Sequence, residues 1–372
     1  MKKIIFGITS LGLGGAERVL VDIANNLKDI YDITIFTIYS GGAFEKELDK
    51  KIKLISIYNN SYESMSKLNK KLIPLKILTC KKQIYNKYIK DKYDIEIAFL
   101  EGAITRIFAS KSNSKKIVWI HNDIKQVFGN DYKSKIKNNI DKDIYSKYDK
   151  IVFVSNDNKE AFNKLYIKEN NKNLLEKEEV CYNYIDRNRI IEKSNENADV
   201  STICTDKTSI ITVSRLVKQK AIDRLIKVHK KLIDCGLKHN IYVIGDGPEK
   251  EELDKLIKEL KVENTFHLLG AKENPYPFVK KANYFALLSN FEGYPMTLEE
   301  AKILNKKILI TNTASREVVK NYSKSIIFEN NENAIYEGLK QVLEGNIVLN
   351  EEESDYDNEK ILKQVKKIIE VK

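Results

Sequence analysis

The chain has only four cysteines, Cys80, Cys181, Cys204 and Cys235, scattered over 372 residues with no metal-ligand spacing. That excludes a disulfide framework or a cysteine zinc site, and it fits reduced, partly buried thiols in a cytosolic protein. No run approaches the roughly 20 apolar residues of a membrane-spanning helix. The start, Met1-Lys2-Lys3-Ile4-Ile5-Phe6-Gly7-Ile8, is too short an apolar run for a signal peptide, and Glu17 and Arg18 follow instead of a small-residue cleavage site. It reads as a first strand. The chain is therefore expected to be cytoplasmic, with any membrane contact peripheral. There is no short tandem repeat. Nor is there an Arg-rich run or a nucleic-acid-binding motif, so nucleic acid is not the expected partner.

What is present describes a globular protein, 42% hydrophobic and 31% charged, long enough for two domains that each bury a core. The net charge of +11 is uneven. Residues 1–186 hold 33 Lys and Arg against 24 Asp and Glu; residues 187–372 hold 31 against 29. Nine lysines and one acid, Asp91, fall within 67–92, interleaved with Leu72, Ile73, Leu75, Ile77, Leu78 and Ile84. This reads either as a basic amphipathic helix able to lie on an anionic membrane or as a solvated face in a Lys-rich protein.

Apolar strand-like runs alternate with helical patterns, which indicates an α/β architecture with parallel sheets. Strands are expected near 3–8, 32–37, 53–57, 94–99, 116–121, 150–154 and 179–182, with helices near 15–28, 66–92, 131–148 and 158–168. The polar stretch 187–207 reads as a linker. The alternation then restarts, with strands near 209–213, 240–244, 265–269, 283–288, 307–311 and 325–328. Helices follow near 221–235, 248–260, 296–304, 331–343 and 357–371. The organisation predicted is a first domain over 1–186, a second over 208–355, and a final helix in 356–372 placed to pack back on the first domain. Two doubly wound Rossmann-like halves facing a central cleft would bind ligands beyond the carboxyl ends of their strands.

The densest chemistry lies at Ser289-Asn290-Phe291-Glu292-Gly293-Tyr294-Pro295-Met296-Thr297-Leu298-Glu299-Glu300-Ala301. A buried-strand pattern, Tyr284 to Leu288, runs into a Gly-aromatic-Pro corner, and a helix begins with Pro295 in its first turn. The amides of Gly293, Tyr294 and Met296 are then free to face an anion, with carboxylates Glu292 and Glu300 on either side. Amides for phosphate and carboxylates for sugar hydroxyls suit a diphosphate flanked by hydroxyl-rich groups.

This corner resembles the E-x7-E motif of retaining glycosyltransferases of the GT-B fold, above all family 4. The resemblance extends over nearly the whole chain and is most specific over 209–318. Val213-Ser214-Arg215-Leu216-Val217-Lys218-Gln219-Lys220 resembles the family's G-R-L-x-x-x-K-G, whose two cations hold the leaving diphosphate, so Arg215 and Lys220 take that role here. Ser214 and Ala221 replace the family's glycines. Gly12-Leu13-Gly14-Gly15-Ala16-Glu17-Arg18 looks like the G-G-A-E-R loop that borders donor phosphate and acceptor. The dinucleotide alternative fails because the third glycine of G-x-G-x-x-G would fall at Glu17 and the second strand ends without an acid. Gly245-Asp246-Gly247-Pro248 resembles the motif at the cleft floor, and Phe266-His267-Leu268-Leu269-Gly270, which contains Leu269, resembles the family's strand-to-glycine turn whose backbone reads the base. His121 resembles the strand-end histidine near the reaction centre, although from the residues alone it reads as structural. Asn183 and Glu317 match supporting positions.

The resemblance implies a retaining, metal-independent glycosyltransferase that takes a nucleotide diphosphate sugar, UDP-linked. Its acceptor would be a glycan carried on polyprenyl diphosphate in capsule or surface polysaccharide synthesis. Asp141-Lys142-Asp143 and Asp355-Tyr356-Asp357 fit the D-x-D metal motif of the other large glycosyltransferase fold. Neither follows a strand, both read as solvated helix residues, and no metal or other cofactor is expected. The alternatives are a nucleotide-sugar epimerase or related GT-B enzyme, and a non-catalytic basic binding protein.

Overall fold

The computed structural model describes residues 1–62, 64–90, 92–121, 141, 143–347, 349 and 358–370. The chain divides into two compact units, residues 1–185 with 358–372 and residues 186–357.

The first unit is built on a seven-stranded parallel sheet with strand order β3-β2-β1-β4-β5-β6-β7. Its strands are β1 Lys3–Ile8, β2 Asp32–Tyr39, β3 Lys53–Tyr58, β4 Ile95–Ala98, β5 Lys115–Ile120, β6 Lys150–Phe153 and β7 Glu178–Val180. The central strands are mostly apolar because helices cover both faces, with Glu96 and Lys116 the buried charged exceptions. Helices α1 Gly15–Leu27, α2 Lys67–Tyr88, α3 Ala103–Phe108 and α4 Asn156–Tyr166 supply that cover. Strand order reverses between β1 and β4, so the crevice in this unit lies beyond their carboxyl ends.

The second unit begins with α5 Arg187–Ser194 and holds a six-stranded parallel sheet, order β10-β9-β8-β11-β12-β13. Its strands are β8 Thr208–Val213, β9 His239–Ile244, β10 Phe266–Leu268, β11 Tyr284–Leu287, β12 Lys307–Thr311 and β13 Ser325–Phe328. Helices α6 Ile222–Asp234, α7 Lys250–Glu259, α8 Tyr276–Lys281, α9 Met296–Ile303, α10 Arg316–Val319 and α11 Glu332–Leu343 surround it. Here the order reverses between β8 and β11. The last helix, α12 Asn358–Glu370, belongs to the first unit. The Lys115 ammonium donates to the carbonyls of Ile368 and Ile369 (2.8 and 3.1 Å), and Tyr31 donates to Glu370 (2.6 Å).

Three expectations need correction. The 187–207 stretch is counted wholly within the second unit and carries α5, capped by the Asp186 carboxylate accepting from the Arg189 amide (3.1 Å). Its polar composition hid one buried face, Ile190 and Ser194. Helix α2 is not amphipathic in the simple sense. It buries Ile73, Ile77 and Tyr85, yet leaves Leu68, Leu72 and Leu75 exposed on its outer side, so apolar residues occur all round it. Asp141 is not solvated: it is 3% exposed and grips the Arg106 guanidinium through two 2.7 Å bonds. Of the helix expected over 131–148, Asp141 is helical and Tyr145–Lys147 is a short turn; residues 131–140 lie outside the described residues, as do Asp355 to Asp357.

The second core contains a directed hydrogen-bond chain. His239 Nδ1 donates to the Leu237 carbonyl (2.9 Å), which leaves its Nε2 to accept from His229 Nδ1 (2.8 Å) and His229 Nε2 to accept from Thr265 (2.8 Å). Burial pushes His229 down to about 3, with His239 and His267 adding to the effect, and lowers His239 as well. An unfolded histidine titrates near 6.5, so the unfolded chain binds more protons below that pH. This stability is fully present above pH 6.5 and is lost as pH falls toward the folded values. Urea titrations at pH 7 and pH 5 should differ by about 2 kcal/mol for each histidine kept neutral; equal midpoints would show that the relay accommodates the charge.

Candidate functional site

The candidate site of the second unit lies at the switch point between β8 and β11. After β8 the chain turns through Lys218–Lys220 and enters α6 from Ala221. After β11 it runs through Ser289 to Glu292. The two loops are fastened to each other. The Asn290 amide donates to the Gln219 carbonyl (2.8 Å), the Asn290 side chain to the Lys218 carbonyl (2.9 Å), and the Gln219 side chain to the Phe291 carbonyl (3.0 Å). From behind, Arg224 donates to the Leu288 carbonyl (2.7 Å) and to Asn330 (2.9 Å), whose own amide holds the Asn290 carbonyl (2.7 Å).

This fastening sets the central contact. The Lys220 ammonium stands 2.6 Å from Glu292 Oε1, and the two side chains are 14% and 5% exposed. Two candidate residues 72 positions apart thus form one nearly buried ion pair. Arg215 stands at the end of the same strand, exposed to solvent, with no carboxylate partner among the described residues.

Ala221 adopts φ 50° and ψ 41°, a left-handed conformation that costs an L-residue about 1 kcal/mol and a glycine nothing. Ala221→Gly should therefore raise stability by about 1 kcal/mol in urea titration, with no loss of nucleotide affinity. A lower stability would mean that the methyl, in its buried site, contributes more than the strain costs.

At the corner, Pro295 is the residue preceding α9 (φ −73°, ψ 116°), and among the described residues the Gly293 and Met296 amides have no acceptor. Glu300, half-buried on α9, accepts from the Tyr276 hydroxyl at 3.0 Å. Tyr276 is itself buried on α8, which pushes its hydroxyl well above the usual range, and it also meets Arg189 of α5. Glu299, not singled out from the sequence, is 2% exposed, accepts from the Tyr294 hydroxyl and pairs with Lys302 at 2.9 Å. It clamps the aromatic residue of the corner from below. Its only sequence signal was adjacency to Glu300.

Neighbouring strand ends complete the edge. Gly245 follows β9 at φ 151°, where an added Cβ would lie 1.8 Å from the Ser214 carbonyl oxygen, so only glycine lets these two turns approach. Its amide donates to the Gly270 carbonyl (3.0 Å). The Leu269 amide donates to the Val243 carbonyl (2.8 Å), which leaves its carbonyl, not its N–H, for a base.

In the first unit, Gly14 precedes α1 with extended backbone (φ −144°), and Gly15 opens that helix at the end of β1. Arg18 of the same motif is structural. It makes two 2.7 Å bonds to Glu47 and lies 3.8 Å above the Phe44 ring, tying the loop after β2 to α1. His121 follows β5 and is 8% exposed, 4.6 Å from the Phe99 ring. Among the described residues neither ring nitrogen has a partner, and burial holds the imidazole neutral by pushing it down to about 3. Its backbone amide donates to Glu101 (3.2 Å), a buried carboxylate just after β4 that sequence reading missed. Gly14, Gly15 and His121 are thus on a different unit from Arg215, Lys220, Glu292 and Glu300.

Residues 193–361 match the family described as glycosyl transferases group 1. Over 92% of its length the chain is 28% identical to 91% of a protein from Campylobacter jejuni subsp. jejuni. That relative is the N-acetylgalactosamine-N,N'-diacetylbacillosaminyl-diphospho-undecaprenol 4-alpha-N-acetylgalactosaminyltransferase. Among solved structures, TarM superposes with a TM-score of 0.75 at 14% identity, covering 100% of this chain and 99% of that one. Anabaena Alr3699/HepE, solved with UDP and glucose, superposes with a TM-score of 0.71 at 17% identity, covering 99% of both.

Proposed function

We propose that the chain, which has the GT-B fold, is a group 1 glycosyltransferase that moves a hexosyl or N-acetylhexosaminyl group, with retention, from a UDP-linked donor to a glycan on polyprenyl diphosphate. The observation that carries the donor half is the Lys220–Glu292 pair at the switch point, with Arg215 two residues beyond the end of β8. Without ligand the two charges neutralise each other. A bound diphosphate offers Lys220 and Arg215 a better partner and releases Glu292 to hold donor sugar hydroxyls. Glu300 takes the ribose hydroxyls, and the Gly293 and Met296 amides face the phosphates.

In the reaction the acceptor oxygen bonds to the anomeric carbon on the face from which the diphosphate leaves. The carbon–oxygen bond to the diphosphate breaks, and the acceptor proton passes to a departing phosphate oxygen. Arg215 and Lys220 stabilise the charge that grows there, the task a metal ion performs in other transferases, so chelation should leave the rate unchanged. His121, kept neutral by burial, offers a hydrogen bond to a sugar hydroxyl.

The lipid-linked acceptor rests on the named activity of the Campylobacter relative and on α2. No helix among the described residues is long and apolar enough to cross a membrane. Yet Leu68, Leu72 and Leu75 are 65%, 49% and 58% exposed, spaced four and three apart among Lys67, Lys70, Lys71 and Lys76. Apolar insertion plus ammonium attraction suits an anionic bilayer surface.

The test is a thermal-shift panel of nucleotide-sugars, followed by transfer to detergent-dispersed polyprenyl-diphosphate glycans, with flotation on anionic vesicles. One UDP-sugar should shift the transition, Arg215→Ala should abolish that shift, and Leu68→Ser/Leu75→Ser should lose flotation. An inverted product anomer, or no response to any nucleotide, would overturn the reading.

A further inference from the structure

We propose that the cavity at the carboxyl end of β3 in the first unit is a glycan-binding subsite, holding sugar residues of the acceptor away from the bond being formed. The proposal rests on the transferase reading above. The cavity measures about 450 Å³ and lies between the end of β3, the connection after it and the first turns of α2. That is within the ~300–1,000 Å³ range of small-molecule sites, and a strand's carboxyl end is where doubly wound sheets bind ligands.

Its lining combines three exposed side-chain amides, Asn59, Asn60 and Asn69, with the apolar surfaces of Tyr58, Met65, Leu72 and Ile73 and one ammonium, Lys76. Among the described residues none of the three amides has a hydrogen-bond partner in the protein. Each offers two donors and an acceptor. Tyr58 belongs to an aromatic row. Tyr39 stacks on it at 6.0 Å between centroids, and Tyr62, 43% exposed, meets Tyr39 edge-on at 5.3 Å.

Ligand chemistry follows from this lining. A prenyl chain would strip water from three amides and give nothing back, which disfavours it. A diphosphate would meet a single lining ammonium, where such sites gather several cations or a fan of backbone amides. A pyranose has both required surfaces, hydroxyls at its edge for Asn59, Asn60 and Asn69 and a C–H face for tyrosine and methionine.

The experiment is saturation-transfer NMR on the full chain with N-acetylhexosamine di- and trisaccharides, for wild type and Asn59→Ala/Asn69→Ala. Wild type should saturate the oligosaccharide protons. The double variant should weaken binding at least tenfold while its urea unfolding transition stays unchanged, which certifies its fold. Equal binding by both proteins, no binding by wild type, or displacement of the sugar by inorganic diphosphate would overturn the subsite. Failure of the transferase reading would look different, with sugar bound normally and no response to any nucleotide-sugar.

Discussion

Glu292→Gln is expected to slow sugar transfer by about 10²–10³-fold, roughly 2.7–4 kcal/mol of transition-state stabilisation. UDP affinity should stay the same or tighten. The change keeps the shape of the side chain and removes one charge. In the ligand-free protein that charge is bound to Lys220 at 2.6 Å. A diphosphate entering the wild-type site must draw the ammonium away from Glu292; in the variant no carboxylate competes. Binding of the nucleotide alone therefore loses nothing, whereas the donor sugar loses the acceptor of its hydroxyl hydrogen bonds. Lys220→Ala should behave in the opposite way. It leaves a carboxylate with a 5% exposed side chain unpaired and removes a cation from the diphosphate, so both UDP affinity and stability fall. Isothermal titration with UDP, beside initial rates of transfer, separates the two patterns. Equal activity in Glu292→Gln would sink the assignment, as would parallel losses in affinity and rate.

The Lys220–Glu292 contact also shows where sequence reading stops. Both residues were legible individually, Glu292 from the Gly-aromatic-Pro corner after an apolar run and Lys220 from the resemblance to the family's two-cation motif. Their pairing was not legible, since it depends on which strands sit side by side. The β8–β11 adjacency is a property of sheet order, not of any local pattern. The short helices α3, α5, α8 and α10 were missed for a different reason. Four to eight residues complete too few turns for a 3.6-residue period to emerge. In α2 the periodic signal cancelled, since an inner stripe of Ile73, Ile77 and Tyr85 opposes an outer stripe of Leu68, Leu72 and Leu75. Glu299 is the clearest loss at the site. Spacing selected Glu300, and the buried Tyr294 hydroxyl and the Lys302 ammonium explain why its neighbour is also a carboxylate.

Breaking one buried pair in the first unit should have the largest effect on stability. Glu96 on β4 and Lys116 on β5 are register neighbours, 0% and 5% exposed, and the ammonium binds the carboxylate directly. Tyr85 donates to both Glu96 oxygens (2.8 and 3.0 Å), Ser112 to one (3.1 Å), and Lys116 also donates to the Phe108 carbonyl (2.9 Å). Burial pulls Lys116 below its ordinary range while Glu96 opposes the shift. Glu96→Leu removes that support, so an ammonium remains in an apolar interior and the unit should lose about 3–5 kcal/mol. Adding Lys116→Met should recover most of the loss, because the second charge no longer needs water that the fold denies it. Both residues lie near the amino ends of their strands, whereas Glu101 and His121 follow the carboxyl ends. Transfer per folded molecule should then be unchanged in the double variant, and urea titration beside a rate assay reads both quantities. A double variant as unstable as Glu96→Leu alone would mean that the Tyr85 and Phe108 contacts, not the ion pair, hold this end of the sheet.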